Sequence, residues 1–228
     1  MIEAYFPRTI EILKALKLIS IFEELSAVAA TRDDDAFVFF AESLSTHEII
    51  LHHESSDLIR EIISIEFDKY MLRDTSEKVV EIAQKERIWN TEREVLLTTQ
   101  KDLLKELDFV MNPFVTIYMS DYKIIWDVTK DEFMLKDNIG QPESEHYYVF
   151  QQIDLFDPNQ SNILEFPLTQ YECYILQLFK ELLGFQEALS AFKNIFNYET
   201  AEEQQVIETN FRDIINYFIY KKFLVRPE

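Results

Sequence analysis

Histidine and glutamate side chains, which can act as metal ligands, cluster in the segment THEIILHHES. His47 and Glu48 match the first half of the zinc-protease pattern H-E-x-x-H, but Leu51 stands where the second histidine is required. His52 lies five residues after His47, about 140° around a helix, so the two imidazoles fall on different faces. Glu48 and His52 are four residues apart, and two ligands do not make a zinc site. We therefore predict no metal ion in this chain.

Two further side chains could do chemistry. Cys173 is the single cysteine, which forbids an intramolecular disulfide and fits a reducing cytoplasm. It falls in the first turns of a predicted helix. There it is either a small packed residue or a nucleophile. Glu66 adjoins the apolar face of the helix DLIREIISIEFDKYMLRD. Its carboxylate is either a boundary group hydrogen-bonded to a neighbouring helix or a conformational lock or ligand.

Composition excludes several classes of function. The chain has only two glycines, so no glycine-rich phosphate loop and no dinucleotide-binding fingerprint can be assembled. Nor can a nucleophile–base pair or a metal cluster be assembled, so we predict no catalytic residues and no cofactor in this chain. Lysine plus arginine total 22 and aspartate plus glutamate total 42, a net charge of −20. This charge repels the phosphates from which duplex-binding proteins gain affinity. No signal peptide or apolar run long enough to cross a bilayer is visible, and we expect a cytoplasmic protein.

The elements that must position any site divide the chain near residue 109. Residues 1–109 read as an all-α domain, with a helix over residues 8–30, an aspartate cap at Asp33–Asp35, the helix containing Glu66, and a segment capped at Ser76. Residues 110–228 begin with β-rich runs. FVTIYMS and YKIIWDV are separated by a turn signal that predicts a hairpin, and HYYVFQQIDLF and ILEFPL are further strands of a small antiparallel sheet.

Three helices complete the chain. Thr169 with Glu172, and Thr200 with Glu203, have the spacing of capping boxes at the starts of the first and third helices. Gly184 is expected to end the first helix in a left-handed conformation. The predicted fold class is α+β, with an N-terminal all-α domain (1–109) followed by a small antiparallel sheet and a three-helix, winged-helix-like module (110–228), similar to PqqD-type peptide-recognition domains.

The order of these features resembles the HvfC/BufC type of protein, commonly labelled putative DNA-binding. The pattern LIREIISIEFDKY is similar to the family's helix with a glutamate before an aromatic residue. The run NPFVTIYMSDYKIIWDV supplies an Asn-Pro pair, here Asn112 and Pro113, and LTQYECYILQLFKELLGFQEAL matches the next pattern. The chain ends in a terminal hydrophobic pair, Phe223 and Leu224. Lys222 replaces the glycine that the family usually has before that pair.

The resemblance implies a partner subunit, comparable in role to MbnC and TglI, that is not itself an enzyme. It would bind the leader part of a ribosomally made precursor peptide and present its core cysteines to a TIM-barrel multinuclear iron enzyme, similar to MbnB, TglH or HvfB. Iron is expected in that enzyme. The leader would add as a strand to an exposed sheet edge and fill pockets beside the third helix. The residues predicted to bind it are Tyr147, Val149, Phe150, Phe211 and Ile215.

Three other hypotheses stay open. A winged-helix DNA-binding regulator would show affinity for duplex that falls steeply with salt. An enzyme would bind a stoichiometric metal. A generic interaction protein would co-purify with a different partner.

Overall fold

The computed structural model describes residues 2–32, 35–79, 103–122, 125–127, 132–134, 145–152 and 163–226. The chain forms two compact units. The N-terminal unit comprises Met1–Asp74 and Tyr118–His146, and the C-terminal unit comprises Thr75–Ile117 and Tyr147–Glu228. This division differs from the predicted boundary at residue 109, because the chain returns to the N-terminal unit at Tyr118, whose side chain interacts with Ser64 and Glu61.

The N-terminal unit is built mainly from helices. After a short 3₁₀ helix, Ile2–Ala4, come α1 (Pro7–Ala15), α2 (Ile19–Ala29), α3 (Ala36–Ser45), α4 (Glu48–Leu51) and α5 (Ser56–Val79). The aspartate cap is confirmed, since the Asp35 carboxylate accepts the Phe37 and Val38 N–H groups at 3.0 and 3.2 Å. The single helix predicted over residues 8–30 is wrong, because Lys17 adopts a left-handed conformation (φ 62°) that ends α1. Ser76 lies inside α5 and does not start a helix.

Aromatic and aliphatic side chains from these helices form one core. Phe40 packs edge-on against Phe6 and Phe22, with ring centroids 5.1 and 4.8 Å apart. In such T-shaped pairs the positive edge of one ring meets the negative face of the other, and both rings also bury apolar surface. The other fully buried members include Leu13, Leu44, Ile59 and Ile62.

The described strands form three small sheets. They are β1 (Asp108–Met111), β2 (Val115–Ser120), β3 (Ile125–Asp127), β4 (Glu132–Met134), β5 (His146–Gln152), β6 (Ile163–Leu168), β7 (Leu183–Gly184) and β8 (Leu224–Val225). Their orders are β7-β1-β8, β2-β5-β6 and β3-β4. The predicted hairpin across Ser120–Asp121 is wrong, because β2 pairs with β5 while β3 pairs with β4. The mixture of helices and small sheets confirms the α+β class.

Three helices follow β6: α6 (Gln170–Leu178), α7 (Phe185–Lys193) and α8 (Ala201–Tyr220). Both capping boxes are confirmed. Thr169 Oγ1 accepts the Glu172 N–H at 3.2 Å while Glu172 Oε2 accepts the Thr169 N–H at 2.7 Å. Thr200 and Glu203 repeat the exchange at 3.2 and 3.0 Å. Four backbone donors that helix geometry leaves unpaired are thereby satisfied.

Gly184 does not end a helix. The helix α6 is capped at Phe179, and Gly184 has an extended backbone (φ −71°, ψ 145°) in β7, immediately before α7. The left-handed conformation predicted for it is wrong, because the chain leaves α6 before reaching the glycine. A Cβ at this position would lie 3.2 Å from Asp108 Oδ1, so the small residue serves a close approach between β7 and β1.

The C-terminal unit buries a phenylalanine-rich core between its helices and β1. Phe211 and Phe218 of α8 are fully buried, and Phe211 lies 5.3 and 5.4 Å from the rings of Phe185 and Phe192. Within the described ranges, no helix has the combined length and apolarity needed to cross a membrane.

Candidate functional site

Four of the five residues predicted to bind a peptide lie in the core. Val149 and Phe150 are 0% and 1% exposed, and Phe211 and Ile215 are both 0% exposed. Tyr147 is half-buried and stands opposite Leu168 in the β5–β6 pair. In this conformation Val149, Phe150, Phe211 and Ile215 cannot touch a guest peptide, because native packing already surrounds them.

The strand β5 is also not an edge. It lies between β2 and β6 and is buried along most of its length. Each side of β5 therefore pairs with a neighbouring strand. A guest strand therefore cannot add to β5 in this conformation. Alternating aromatic residues predict a strand, but they do not say which neighbours it pairs with.

Among the described strands, β6 lies at one end of the β2-β5-β6 sheet. It pairs antiparallel with β5, placing Val149 opposite Phe166 and Tyr148 opposite Pro167. Proline lacks a backbone donor and is found in sheets on edge strands or at strand starts. The sequence therefore carried a signal for this edge in ILEFPL, where Pro167 indicates that the strand is not central. Leu164 of β6 is 40% exposed.

Aromatic side chains from β6 and α8 lie around Lys221 at the end of α8. The Lys221 ammonium lies 5.0 Å from the Phe166 ring centroid and 5.9 Å from the rings of both Tyr217 and Tyr220. Tyr220 is 63% exposed. Cations at these distances are attracted to the ring faces, which holds the lysine stem against them. We call these residues the β6–α8 surface: Leu164, Phe166, Tyr217, Tyr220 and Lys221.

The end of α8 is fixed by a left-handed cap. Lys222 has φ 60°, the Lys222 N–H donates to the Ile219 carbonyl at 2.9 Å, and the Phe223 N–H donates to the Phe218 carbonyl at 2.7 Å. This pair of bonds is a Schellman motif, which usually carries glycine at the left-handed position. Lys222 therefore holds a conformation that glycine adopts without steric cost.

Two buried amides hold the same cap from the sheets. Asn112, 1% exposed, donates Nδ2–H to the Lys222 carbonyl at 2.8 Å and accepts the Phe114 N–H at 2.9 Å. Gln151, 4% exposed, donates Nε2–H to the Lys221 carbonyl at 2.8 Å. Both helix-terminal carbonyls are therefore satisfied by side chains. These contacts fix the position of Lys221 relative to β5 and β6.

Glu66 is a buried structural carboxylate. It accepts the Arg8 N–H at 2.7 Å, the Thr9 N–H at 3.0 Å and the Thr9 hydroxyl at 2.6 Å. Phe6, the N-cap residue of α1, has no side-chain acceptor of its own, so α5 supplies the cap across the core. Burial raises the pKa of Glu66, while the bonds from Thr9 and Arg8 and the Arg8 charge oppose that rise. The prediction of a carboxylate hydrogen-bonded to a neighbouring helix is confirmed.

The other groups singled out from the sequence are engaged locally. His47 Nδ1 accepts the Ile49 N–H at 3.3 Å, and His52 Nδ1 lies 2.8 Å from the Glu48 carbonyl. Cys173 is buried, with its Sγ accepting from Gln177 Nε2 at 3.5 Å. In the part of the chain that the structure describes, no group of three or more histidine, cysteine or carboxylate side chains is placed to hold a metal ion.

A carboxylate-rich face of α5 adjoins Tyr118. Burial raises the pKa of Tyr118 far above its ordinary value; a hydrogen bond with Ser64 opposes this, and the nearby Glu61 and Asp68 add to it. Burial and the Glu61 charge likewise raise the pKa of Asp68. The arrangement keeps the phenol neutral and anchors it to α5, which is a structural role.

Comparison with known proteins gives no relative. Neither a protein-family model, nor a curated protein, nor a solved structure matches the chain.

Proposed function

We propose that the chain is a non-catalytic partner subunit that binds the leader part of a precursor peptide on the β6–α8 surface. It would hold the peptide's core cysteines at the active site of a TIM-barrel multinuclear iron enzyme, which would carry the oxidative chemistry. The observation that carries this proposal is that β6, the end strand of its sheet among the described residues, lies directly beside the half-exposed aromatic end of α8.

The geometry suits recognition by strand addition. A guest strand gains affinity from main-chain hydrogen bonds to a sheet edge and specificity from pockets for alternate side chains. Leu164 and Phe166 are two residues apart and therefore on the same face of β6. Phe166 packs 5.3 Å from the Phe223 ring, so this face continues into the aromatic end of α8. Pro167 has no N–H to offer, which confines added pairing to the first half of the strand.

The surrounding fold suits the same role. The helix and strand order is α6, β7, α7, α8, β8, and β1 pairs with both β7 and β8. We interpret this as a winged-helix-like module in which β1, lying between β7 and β8, takes the place of the second strand of the wing hairpin. In that interpretation α8 is the recognition helix, and Glu202, Glu203 and Glu208 near its start disfavour nucleic acid.

Charge selects the class of peptide. The net charge of −20 attracts a basic leader and speeds its encounter with the surface. Tethering the leader raises the local concentration of the cysteines at the enzyme without a catalytic group in this chain.

Co-expression tests the proposal. The chain would be produced with a TIM-barrel iron enzyme and a precursor peptide from the same gene cluster, and the mixture separated by size-exclusion chromatography with iron analysis. We expect the chain to co-elute with the iron-containing enzyme and to bind the peptide measurably by calorimetry. Replacing Leu164 with Glu should weaken peptide binding at least about tenfold, since a charge would then be buried under the peptide.

A matched control separates this site from general effects of charge. Val206 is 58% exposed near the start of α8, fourteen residues before Tyr220, and Val206→Glu adds the same charge away from the β6–α8 surface. This variant should bind peptide as the wild type does. Equal loss in both variants, or no loss in Leu164→Glu, would show that the peptide does not bind at β6.

A further inference from the structure

Gln151 of β5 lies at the border of the β6–α8 surface. It stands directly opposite Leu164 in the β5–β6 pair, and residues opposite each other in an antiparallel pair project their side chains from the same face of the sheet. The two side chains nevertheless differ in exposure, since Gln151 is 4% exposed and Leu164 is 40% exposed. At this pair of positions the fold covers β5 and leaves β6 accessible.

The end of α8 is tied to β5 at that border. Gln151 Nε2–H donates to the Lys221 carbonyl at 2.8 Å. A carbonyl in the last turn of a helix has no partner within the helix, so this bond joins α8 to β5 without displacing a bond of the helix. The Lys221 ammonium lies 5.0 Å from the Phe166 ring centroid. Lys221 is therefore held to β5 through its backbone and to β6 through its side chain.

A second amide separates the formation of the cap from its placement. Asn112 donates to the next carbonyl, that of Lys222, at 2.8 Å. Asn112 follows β1, whose sheet contains β7 and β8 and not β6. If the Gln151 bond is lost, the Asn112 bond still holds the cap, and only the tie between the end of α8 and the β2-β5-β6 sheet is removed.

We propose that Gln151 is a positioning residue of the peptide site, which keeps the aromatic end of α8 at the distance from β6 that a guest strand requires. This role rests on the proposed function, because it takes the peptide to bind along β6. The Gln151 amide itself does not meet the guest, since it is buried and bonded to Lys221. The guest residue beside Leu164 is apolar, because it lies between that leucine and the rings at the end of α8.

Fluorescence anisotropy on the whole chain measures the effect. The probe is the synthetic leader of the precursor peptide encoded in the same gene cluster, labelled with fluorescein at its N terminus. Gln151→Met removes the donor and keeps the length of the side chain. We expect this variant to bind the probe at least about fivefold more weakly, comparable with the loss of one hydrogen bond, although residue 151 does not touch the peptide.

The neighbouring glutamine supplies a matched control. Gln152 is also 4% exposed, and it projects from the opposite face of β5 because successive residues of a strand alternate. Gln152→Met removes a buried amide from the same strand and leaves the Lys221 bond in place, so it should bind the probe as the wild type does. Circular dichroism and urea midpoints show whether each variant is folded. Gln151→Asn, whose amide is one methylene shorter, repeats the test if Gln151→Met does not fold.

A double-mutant cycle separates positioning from a general loss of stability. Tyr220 is 63% exposed at the end of α8, so Tyr220→Ala removes a ring that the peptide contacts and should weaken binding in the wild type. Gln151→Met already releases that ring from its place beside β6. Adding Tyr220→Ala to Gln151→Met should therefore weaken binding no further, whereas two independent effects would add.

The outcomes distinguish this role from the proposed function. Wild-type affinity in Gln151→Met, equal losses in the two glutamine variants, or additive losses in the cycle would each overturn the positioning role, while weaker binding in Leu164→Glu would still place the peptide at β6. Undiminished binding in Leu164→Glu would show that the peptide lies elsewhere, and would overturn both the proposed function and the role of Gln151.

Discussion

The left-handed cap at Lys222 makes a quantitative prediction about backbone conformation. Lys222 has φ 60°, a conformation that costs a residue with a Cβ about 1–2 kcal/mol and costs glycine nothing. Glycine loses part of that advantage, about 0.4–1 kcal/mol, through the greater entropy of its unfolded chain. We therefore expect Lys222→Gly to be more stable than Lys222→Ala by about 0.5–1 kcal/mol.

The comparison with alanine removes the lysine side chain from both variants, so any contact of that side chain cancels. Urea unfolding followed by far-ultraviolet circular dichroism gives the free energy of unfolding from the midpoint and slope. Lys221 supplies the opposite control. Its backbone is right-handed (φ −78°, ψ −7°), so Lys221→Gly should be less stable than Lys221→Ala by about 0.5–1 kcal/mol. Lys222→Gly no more stable than Lys222→Ala would refute the reasoning.

Three further predictions concern the stability contributed by Glu66 in the N-terminal unit and Gly184 in the C-terminal unit. Glu66→Ala should cost about 2–4 kcal/mol, because buried donors of Arg8 and Thr9 lose their acceptor. The folded-state pKa of Glu66 is raised above its ordinary 4.5, so the native state favours the protonated acid. That contribution is complete below pH 4.5 and is lost as pH rises through the raised pKa. Urea titrations should show wild type losing stability relative to Glu66→Gln as the pH rises above 4.5, and a constant difference would contradict this. Gly184→Ala should change the free energy of unfolding by less than about 1 kcal/mol, since its backbone is extended; a loss above about 2 kcal/mol would show that the 3.2 Å approach to Asp108 cannot relax.

Local signals in the sequence located three of the helix starts. Both capping boxes and the Asp35 cap formed where their spacing placed them, because a cap involves residues within one turn of each other. The end of α1 was missed for a related reason. Its left-handed residue is Lys17, and glycine, the usual signal for such an end, is absent there.

Strand pairing could not be read from the same signals. A turn signal at Ser120–Asp121 predicted a local hairpin, but β2 pairs with the more distant β5, and such a choice depends on how both strands pack. Burial could not be read from the pattern either: helical periodicity identified Phe211 and Ile215 as an apolar face, and the same pattern describes a core and a groove. Pro167 was the informative residue, because its missing donor indicates an edge.

Hydrogen–deuterium exchange of the chain with and without bound precursor peptide tests peptide binding at β6 most directly. A guest strand protects the amides to which it hydrogen-bonds, so we predict slower exchange in Ile163–Leu168 and at the end of α8, with little change at Val206. Peptide that binds while exchange in Ile163–Leu168 stays unchanged, and slows elsewhere instead, would contradict the account.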